Sequence, residues 1–364
     1  MKTSLTVIRW FVGILFIFSG LVKANDPLGL SYKMQEFFEV WQLNQFHDYT
    51  LTLAILMNAF EIIAGVAVII GWRMRAFSWL LLLLIVFFTF LTGYALLSGK
   101  IKTCGCFGDC LPLTPLQSFL KDVLLLLLIA FILVKYKLVQ PLFKRTIFNG
   151  VVLVLAFLFS FGLQAWVLRY LPVVDCLPYR KGNNLVELSR MPADAVPDQF
   201  EFRFIYEKGG EQQEFALGNL PDSTWTFVDR KQFLVRKGKN NEPPVKDLIF
   251  RDGEGNDQTA AILQQEGRYF LLFLLHANGL RSNAGWVREA ARIAAAGRLY
   301  IISSRPEDVQ RLFAADPVLG ALPVYSCDGT AIKTAARAVP VLYAMEGPVV
   351  QAKWAAPHFH RVPL

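Results

Sequence analysis

Hydrophobic and polar positions divide this chain near residue 172. Before that point, five long apolar stretches run over roughly 4–24, 49–71, 75–98, 116–138 and 147–170. Each is rich in Leu, Ile, Val and Phe, and none contains proline. About 20 apolar residues in helix cross a bilayer core, so the pattern predicts five spans and a lipid bilayer as the medium. The first stretch could also be read as a signal peptide, but Lys23 stands where small cleavage-site residues are expected. Between the first two stretches, Met34, Phe37, Phe38, Trp41 and Phe46 recur near helical spacing among Glu and Gln. That fits either a helix lying in the interface or an ordered loop.

After Cys176 the pattern shortens. Phe200-Glu201-Phe202-Arg203-Phe204 and Trp225-Thr226-Phe227-Val228-Asp229 alternate as strands, with turns at Gly209-Gly210 and Pro221-Asp222. They predict a small β-rich unit over 177–244 that ends in a KGKNNEPP linker. From 245 the pattern alternates between α and β. It gives a buried strand at 269–275, a helix at 284–296 capped by Ser282 or Asn283, a strand at 299–302 and a helix at 306–314 opening on proline. A hairpin follows over 339–353. The expected organisation is a transmembrane bundle at 1–140, a fifth span within 141–176, the β-rich unit at 177–244 and an α/β domain at 245–364.

Composition supports a membrane half and a water-soluble half. Hydrophobic residues make up 54% of the 364, and the mean hydropathy is +0.39. The net charge of +8 is no nucleic-acid signal, because no basic run is interleaved with aromatics. Lys and Arg cluster at span ends instead. Lys2, Arg9, Arg73, Arg75, Lys135, Lys137, Lys144 and Arg145 outnumber Lys23, Lys33, Lys100 and Lys102 on the other side. The bias predicts a cytoplasmic N-terminus and a periplasmic tail, in the inner membrane.

Three of five cysteines fall in Cys104-Gly105-Cys106-Phe107-Gly108-Asp109-Cys110. Thiols this close either exchange electrons, staple a loop or hold a soft metal. No histidine lies nearby to complete a metal site. A Cys104–Cys106 ring is small and hard to close with good geometry, whereas Cys110 with Cys104 or Cys106 closes more easily. Gly105 and Gly108 allow the tight backbone. Lys100 and Lys102 favour a thiolate, and Asp109 opposes it. Cys176 follows the fifth span and could pair with the odd loop cysteine. Cys327 reads as a free packed cysteine. Glu61, midway along the second span, shares a helical face with Asn58 and Gly65. That face suits either a quinone or proton site or a hydrogen bond between helices. Lys121-Asp122 reads as interfacial, and His358-Phe359-His360 as a frayed C-terminus.

Two resemblances follow from these residues. Phe18-Ser19-Gly20-Leu21-Val22-Lys23, Glu61 with Gly65, and Cys104-Gly105-Cys106-Phe107-Gly108 resemble the MauE branch of the DoxX superfamily over about 1–140. The order of elements over 245–355, with Ala338-Val339-Pro340-Val341-Leu342 and LIFRDGEGNDQT at 248–259, resembles a thioredoxin-like domain of the TlpA kind. The C-x-x-C of that family is missing, since HANGLRSNAGW follows the central strand. The whole resembles a Bacteroidota-type fusion of the two. MauE proteins are implicated in forming disulfides in a partner enzyme, and some DoxX relatives pass electrons from sulfur compounds to quinone. The resemblance therefore implies a membrane thiol–disulfide factor that uses Cys104, Cys106 and Cys110, with quinone as acceptor and a periplasmic protein partner. The competing expectation is a non-enzymatic scaffold with a structural disulfide and a docking tail. A small-molecule or metal transporter rests on Glu61 alone.

Overall fold

A computed structural model describes residues 2–99, 101, 105–236, 238, 240–277, 280 and 284–364. Five of its helices are long and apolar enough to cross a membrane. They are α1 (Lys2–Ala24), α3 (Thr50–Ile70), α4 (Met74–Ser98), α5 (Pro115–Lys135) and α6 (Thr146–Tyr170). Between the first two, α2 (Pro27–Val40) is a helix capped by Asp26, whose carboxylate accepts from Gly29 N at 2.9 Å. The amphipathic stretch is thus helical.

Small residues set the closest packing in the bundle. A Cβ on Gly13 of α1 would sit 2.9 Å from Gly65 O, and one on Gly65 would sit 2.7 Å from Gly13 O. Without hydrophobic driving force in lipid, such close backbone approach is what joins membrane helices. It sets the middle of α1 against the last third of α3, and Gly20, where a Cβ would sit 3.1 Å from Asn58 O, brings the end of α1 beside the middle of α3. Helix α5 packs on α4, and α6 packs against α3.

The two ends of the bundle differ. At one, Arg9 Nη1 donates to Gln140 O at 3.1 Å and Leu142 N to Ile70 O at 2.7 Å. The turn after α3 and the α5–α6 link therefore meet near the start of α1. At the other end lie α2, the cysteine loop, the residues after α6 and the whole tail.

In the tail, β1 (Gln199–Lys208), β2 (Glu211–Ala216) and β3 (Thr226–Arg236) form an antiparallel sheet in the order β2-β1-β3. A second sheet has five strands: β4 (Arg268–Leu274), β5 (Leu299–Ser303), β6 (Val324–Ser326), β7 (Val341–Glu346) and β8 (Val349–Ala355). Their order is β6-β5-β4-β7-β8. Strands β4, β5 and β6 are parallel, and β7 and β8 run antiparallel to their neighbours. Alternate residues of β4 enter opposite cores, Tyr269, Leu271 and Phe273 on one face and Phe270, Leu272 and Leu274 on the other. A strand covered on both faces reads as an unbroken apolar run.

Helices α7 (Leu185–Leu188), α8 (Thr259–Leu263), α9 (Gly285–Ala296), α10 (Pro306–Phe313) and α11 (Gly329–Ala335) complete the tail. Ala284 is the residue that caps α9; Ser282 and Asn283 lie outside the described residues. The Val339-Pro340 bond before β7 is cis. Tyr179 and Leu185 lie in the core of the five-stranded unit, so the three-stranded sheet takes up only 199–236 of the region before it. The expectation of a frayed C-terminus is overturned. Residues Ala356–Arg361 form a 3-10 helix, Phe359 is fully buried, and His358 stacks on Tyr170 of α6 at 4.8 Å.

Candidate functional site: a thiol over a lipid-facing cavity

The cysteine loop enters the site through a tight turn. Gly108 N donates to Gly105 O at 3.0 Å, and both glycines have positive φ, +67° at Gly105 and +56° at Gly108. Residues with a side chain rarely adopt that conformation. Ser19 Oγ of α1 donates to Cys106 O at 3.1 Å and anchors the turn. Phe107 is buried between the Phe18 ring, 5.7 Å away, and Lys121 Nζ, 5.3 Å from its centroid. Cys104, Lys100 and Lys102 lie outside the described residues.

Cys106 faces a cavity of about 420 Å³. Its lower walls are apolar, from Phe37 of α2 and Trp41 just after it, Leu56 and Phe60 of α3, and Leu84 and Phe88 of α4. Its polar groups gather at the loop: Ser19, Lys23, Lys33, Thr92, Cys106 and Lys121. Leu53, Leu56 and Phe87 line it and are also 43%, 52% and 46% exposed. In a spanning bundle those outward residues meet lipid, so the cavity opens sideways into the bilayer between α3 and α4.

Two buried ion pairs flank the thiol. Lys23 Nζ bonds Glu61 Oε1, with both side chains almost wholly buried. Lys121 Nζ bonds Asp122 Oδ1 at 2.5 Å, and Thr92 Oγ1 donates to Asp122 Oδ2 at 3.1 Å. A charge inside a membrane is costly and is kept where it is paired. The interfacial reading of Lys121-Asp122 is therefore corrected: Asp122 is fully buried and Lys121 lines the cavity. Helix α5 sets this register with a capping box. Thr114 Oγ1 accepts from Gln117 N at 3.3 Å, Gln117 Oε1 accepts from Thr114 N at 3.0 Å, and Pro115 opens the helix. Burial pushes the Cys106 thiol above its ordinary pKa, Lys121 and Lys23 pull it down, and Asp122 adds to the rise.

The residues singled out from sequence separate here. Glu61 reaches the site through Lys23. Asn58 turns the other way, donating to Gln164 Oε1 of α6 at 3.2 Å, and Gly65 serves the α1–α3 contact. Cys110 does not pair with Cys104 or Cys106; it forms a disulfide with Cys176. Cys327 is free and buried, as expected. Sequence reasoning missed Lys23, Lys121, Asp122 and Thr92 as site residues. The available signal was two lysines at span ends, each with a carboxylate that can reach it. No cluster able to hold a metal occurs among the described residues.

The tail is tied to the loop by an arginine clamp. Arg337, after α11, is 6% exposed; its Nε donates to Asp26 Oδ2 and its Nη2 to Asp109 Oδ2, both at 2.8 Å. Lys353 Nζ bonds Asp175 Oδ2 at 2.7 Å, and Asn25 pairs with the backbone of Val174.

The search of curated proteins finds no match. The search of solved structures finds none either. A domain of unknown function, DUF8463, matches residues 200–237, the three-stranded sheet. The family described as methylamine utilisation protein MauE matches residues 1–135, from α1 through α5, and the part of this multi-pass membrane protein that builds the cavity and holds Cys106 is thus similar to MauE.

Proposed function

We propose that this protein is a membrane thiol–disulfide factor in which Cys106 passes electrons from protein thiols to a quinone in the lateral cavity. The observation that carries this reading is the thiol's position. Cys106 stands at the polar roof of an apolar chamber that opens to lipid, between two lysines that are each held by a carboxylate. A volume of about 420 Å³ falls in the range of small-molecule sites. A polar head and an apolar tail match its two ends.

A quinone accepts two electrons and two protons. Cys106 and a second loop cysteine, Cys104 or Cys110, supply both pairs as their thiols close to a disulfide. Lys23 and Lys121 are placed to hydrogen-bond a carbonyl oxygen, and their partners Glu61 and Asp122 keep them aimed. The loop end of the bundle faces the periplasm in this reading. A disulfide persists there, and the Lys and Arg bias puts the other end in the cytoplasm. The tail, whose strand order suits a thioredoxin-like domain without a thiol pair of its own, docks the protein partner.

The test uses the full-length protein in nanodiscs with dithiothreitol as donor and a short-chain ubiquinone as acceptor. Wild type reduces the quinone, and Cys106→Ser lowers turnover about a thousandfold or more, as for loss of a nucleophile. Equal turnover in the two proteins overturns the reading. The Lys/Glu and Lys/Asp pairs are left intact by that change, so its fold is retained.

A further inference from the structure

A second cavity, of about 560 Å³, lies between the bundle and the tail. Tyr32 and Glu39 of α2, Thr330 and Thr334 of α11, and Cys176 with Tyr179 after α6 form part of its walls. Unlike the first it is polar, with acidic and basic side chains on both sides. Cys176 lines it, and Cys110 does not. A third, very small cavity between them shares Lys23 and Gly105 with the first, Gly29 and Asp109 with the second, and Lys33 with both, so the two lie on either side of the cysteine loop. One loop therefore carries sulfur toward both: Cys106 toward lipid, and Cys110, through its bond to Cys176, toward the polar cleft.

We propose that this cleft takes an extended, cysteine-bearing segment of a client polypeptide, and that Cys110–Cys176 is the disulfide it exchanges with, by attack at Cys176 Sγ. The inference rests on the thiol-exchange reading above. A polypeptide is favoured because the walls offer hydroxyls, carboxylates and ammonium groups to backbone amides and carbonyls, in a space open to water rather than lipid. Cys176 lies beyond the 1–135 match, so this use of sulfur belongs to the joined chain.

The steps balance. A client thiolate attacks Cys176 Sγ, the Cys110–Cys176 bond breaks, and Cys110 leaves as a thiolate. The second client thiolate attacks the client sulfur of the mixed disulfide and releases Cys176. The client has lost two electrons and two protons, and the chain holds two new thiols. Cys106 and Cys110 then close to a disulfide, delivering two electrons and two protons to the quinone. Cys176 attacks Cys110 Sγ, Cys106 leaves, and the original bond is restored.

The experiment uses the full chain in nanodiscs and a reduced Gly/Ser-rich peptide with a single cysteine, quenched with an alkylator and mapped by mass spectrometry. The expected product is peptide joined to Cys176 with Cys110 alkylated. Peptide on Cys110, or no conjugate, overturns the proposal. A peptide with two cysteines then serves as donor for quinone reduction. Cys176→Ser should lower its oxidation about a hundredfold or more, while dithiothreitol, small enough to reduce a Cys106–Cys110 disulfide directly, still reduces quinone. Retained dithiothreitol turnover shows that the variant folds and separates this inference from the first reading. Undiminished peptide oxidation would make the bond a staple only. Thr334→Trp, which fills the cleft, should slow the peptide at least about tenfold and leave dithiothreitol unchanged; an unchanged peptide rate would place the client elsewhere and overturn the cleft's role.

Discussion

Cys106 and Cys327 are both free, Cys106 partly exposed and Cys327 buried, and their surroundings differ in kind. Cys327 packs in the core of the five-stranded unit beside Val245, Leu248 and Phe250. Burial, with Asp328 and Asp247 adding to it, pushes its thiol up to about 12. Cys106 is also raised by burial, but two ammonium groups oppose the rise and a chamber lies in front of it. Burial alone makes a cysteine inert. Burial with cations and an adjoining space stores a protonated thiol that can be deprotonated on demand.

The strongest way to break this contrast is to make the first site resemble the second. Lys121→Met with Asp122→Asn removes one cation and its partner together, so no orphan charge is left, and Asn keeps an acceptor for Thr92. Alkylation of Cys106 by a neutral maleimide should slow by up to about tenfold, the factor for a one-unit rise of the thiol's pKa, since Lys121 lowers it more than Asp122 raises it. An unchanged rate would show that the cations do not matter and that the two cysteines differ only in access.

A second change acts on the link between the regions. Arg337→Ala leaves Asp26 buried without its guanidinium. Losing one partner of a buried pair costs about 3–5 kcal/mol, and thermal unfolding in detergent should register it as a lower Tm. The same variant should loosen Asp109 and speed Cys106 alkylation by a few fold. A stable variant with an unaltered Cys106 would mean that the tail does not hold the loop.

The smallest effect is the pH profile. With its pKa raised by burial, the Cys106 thiol should still be gaining reactivity beyond about pH 9.5, where an ordinary thiol of pKa about 8.5 has levelled off. Cys327 should stay unreactive over the same range until the domain unfolds. A Cys106 plateau below pH 8 would reverse the sign argued from its burial.

The spans were legible because about 20 consecutive apolar residues admit one reading, and the five helices fall within a few residues of it. The strand at 269–275 was legible for a similar reason: it is covered on both faces. Cys106 was visible as chemistry, but its chamber was not, since that depends on how α2, α3 and α4 diverge. Lys121-Asp122 looks like ordinary surface charge near a helix start, and only the fold shows that it points inward. Arg337 had no local signal at all, because its carboxylates lie 311 and 228 positions away. Cys176 had a weak one, its place just after α6.

The Cys110–Cys176 bond joins residues 66 apart, and α5 and α6 lie wholly within that interval. The two last membrane helices are therefore threaded into a covalent ring whose clasp sits outside the bilayer. A break in the backbone at the far end, between 139 and 145, would not release the tail from the first four spans. Opening the clasp alone would not free it either, and only both together would divide the molecule.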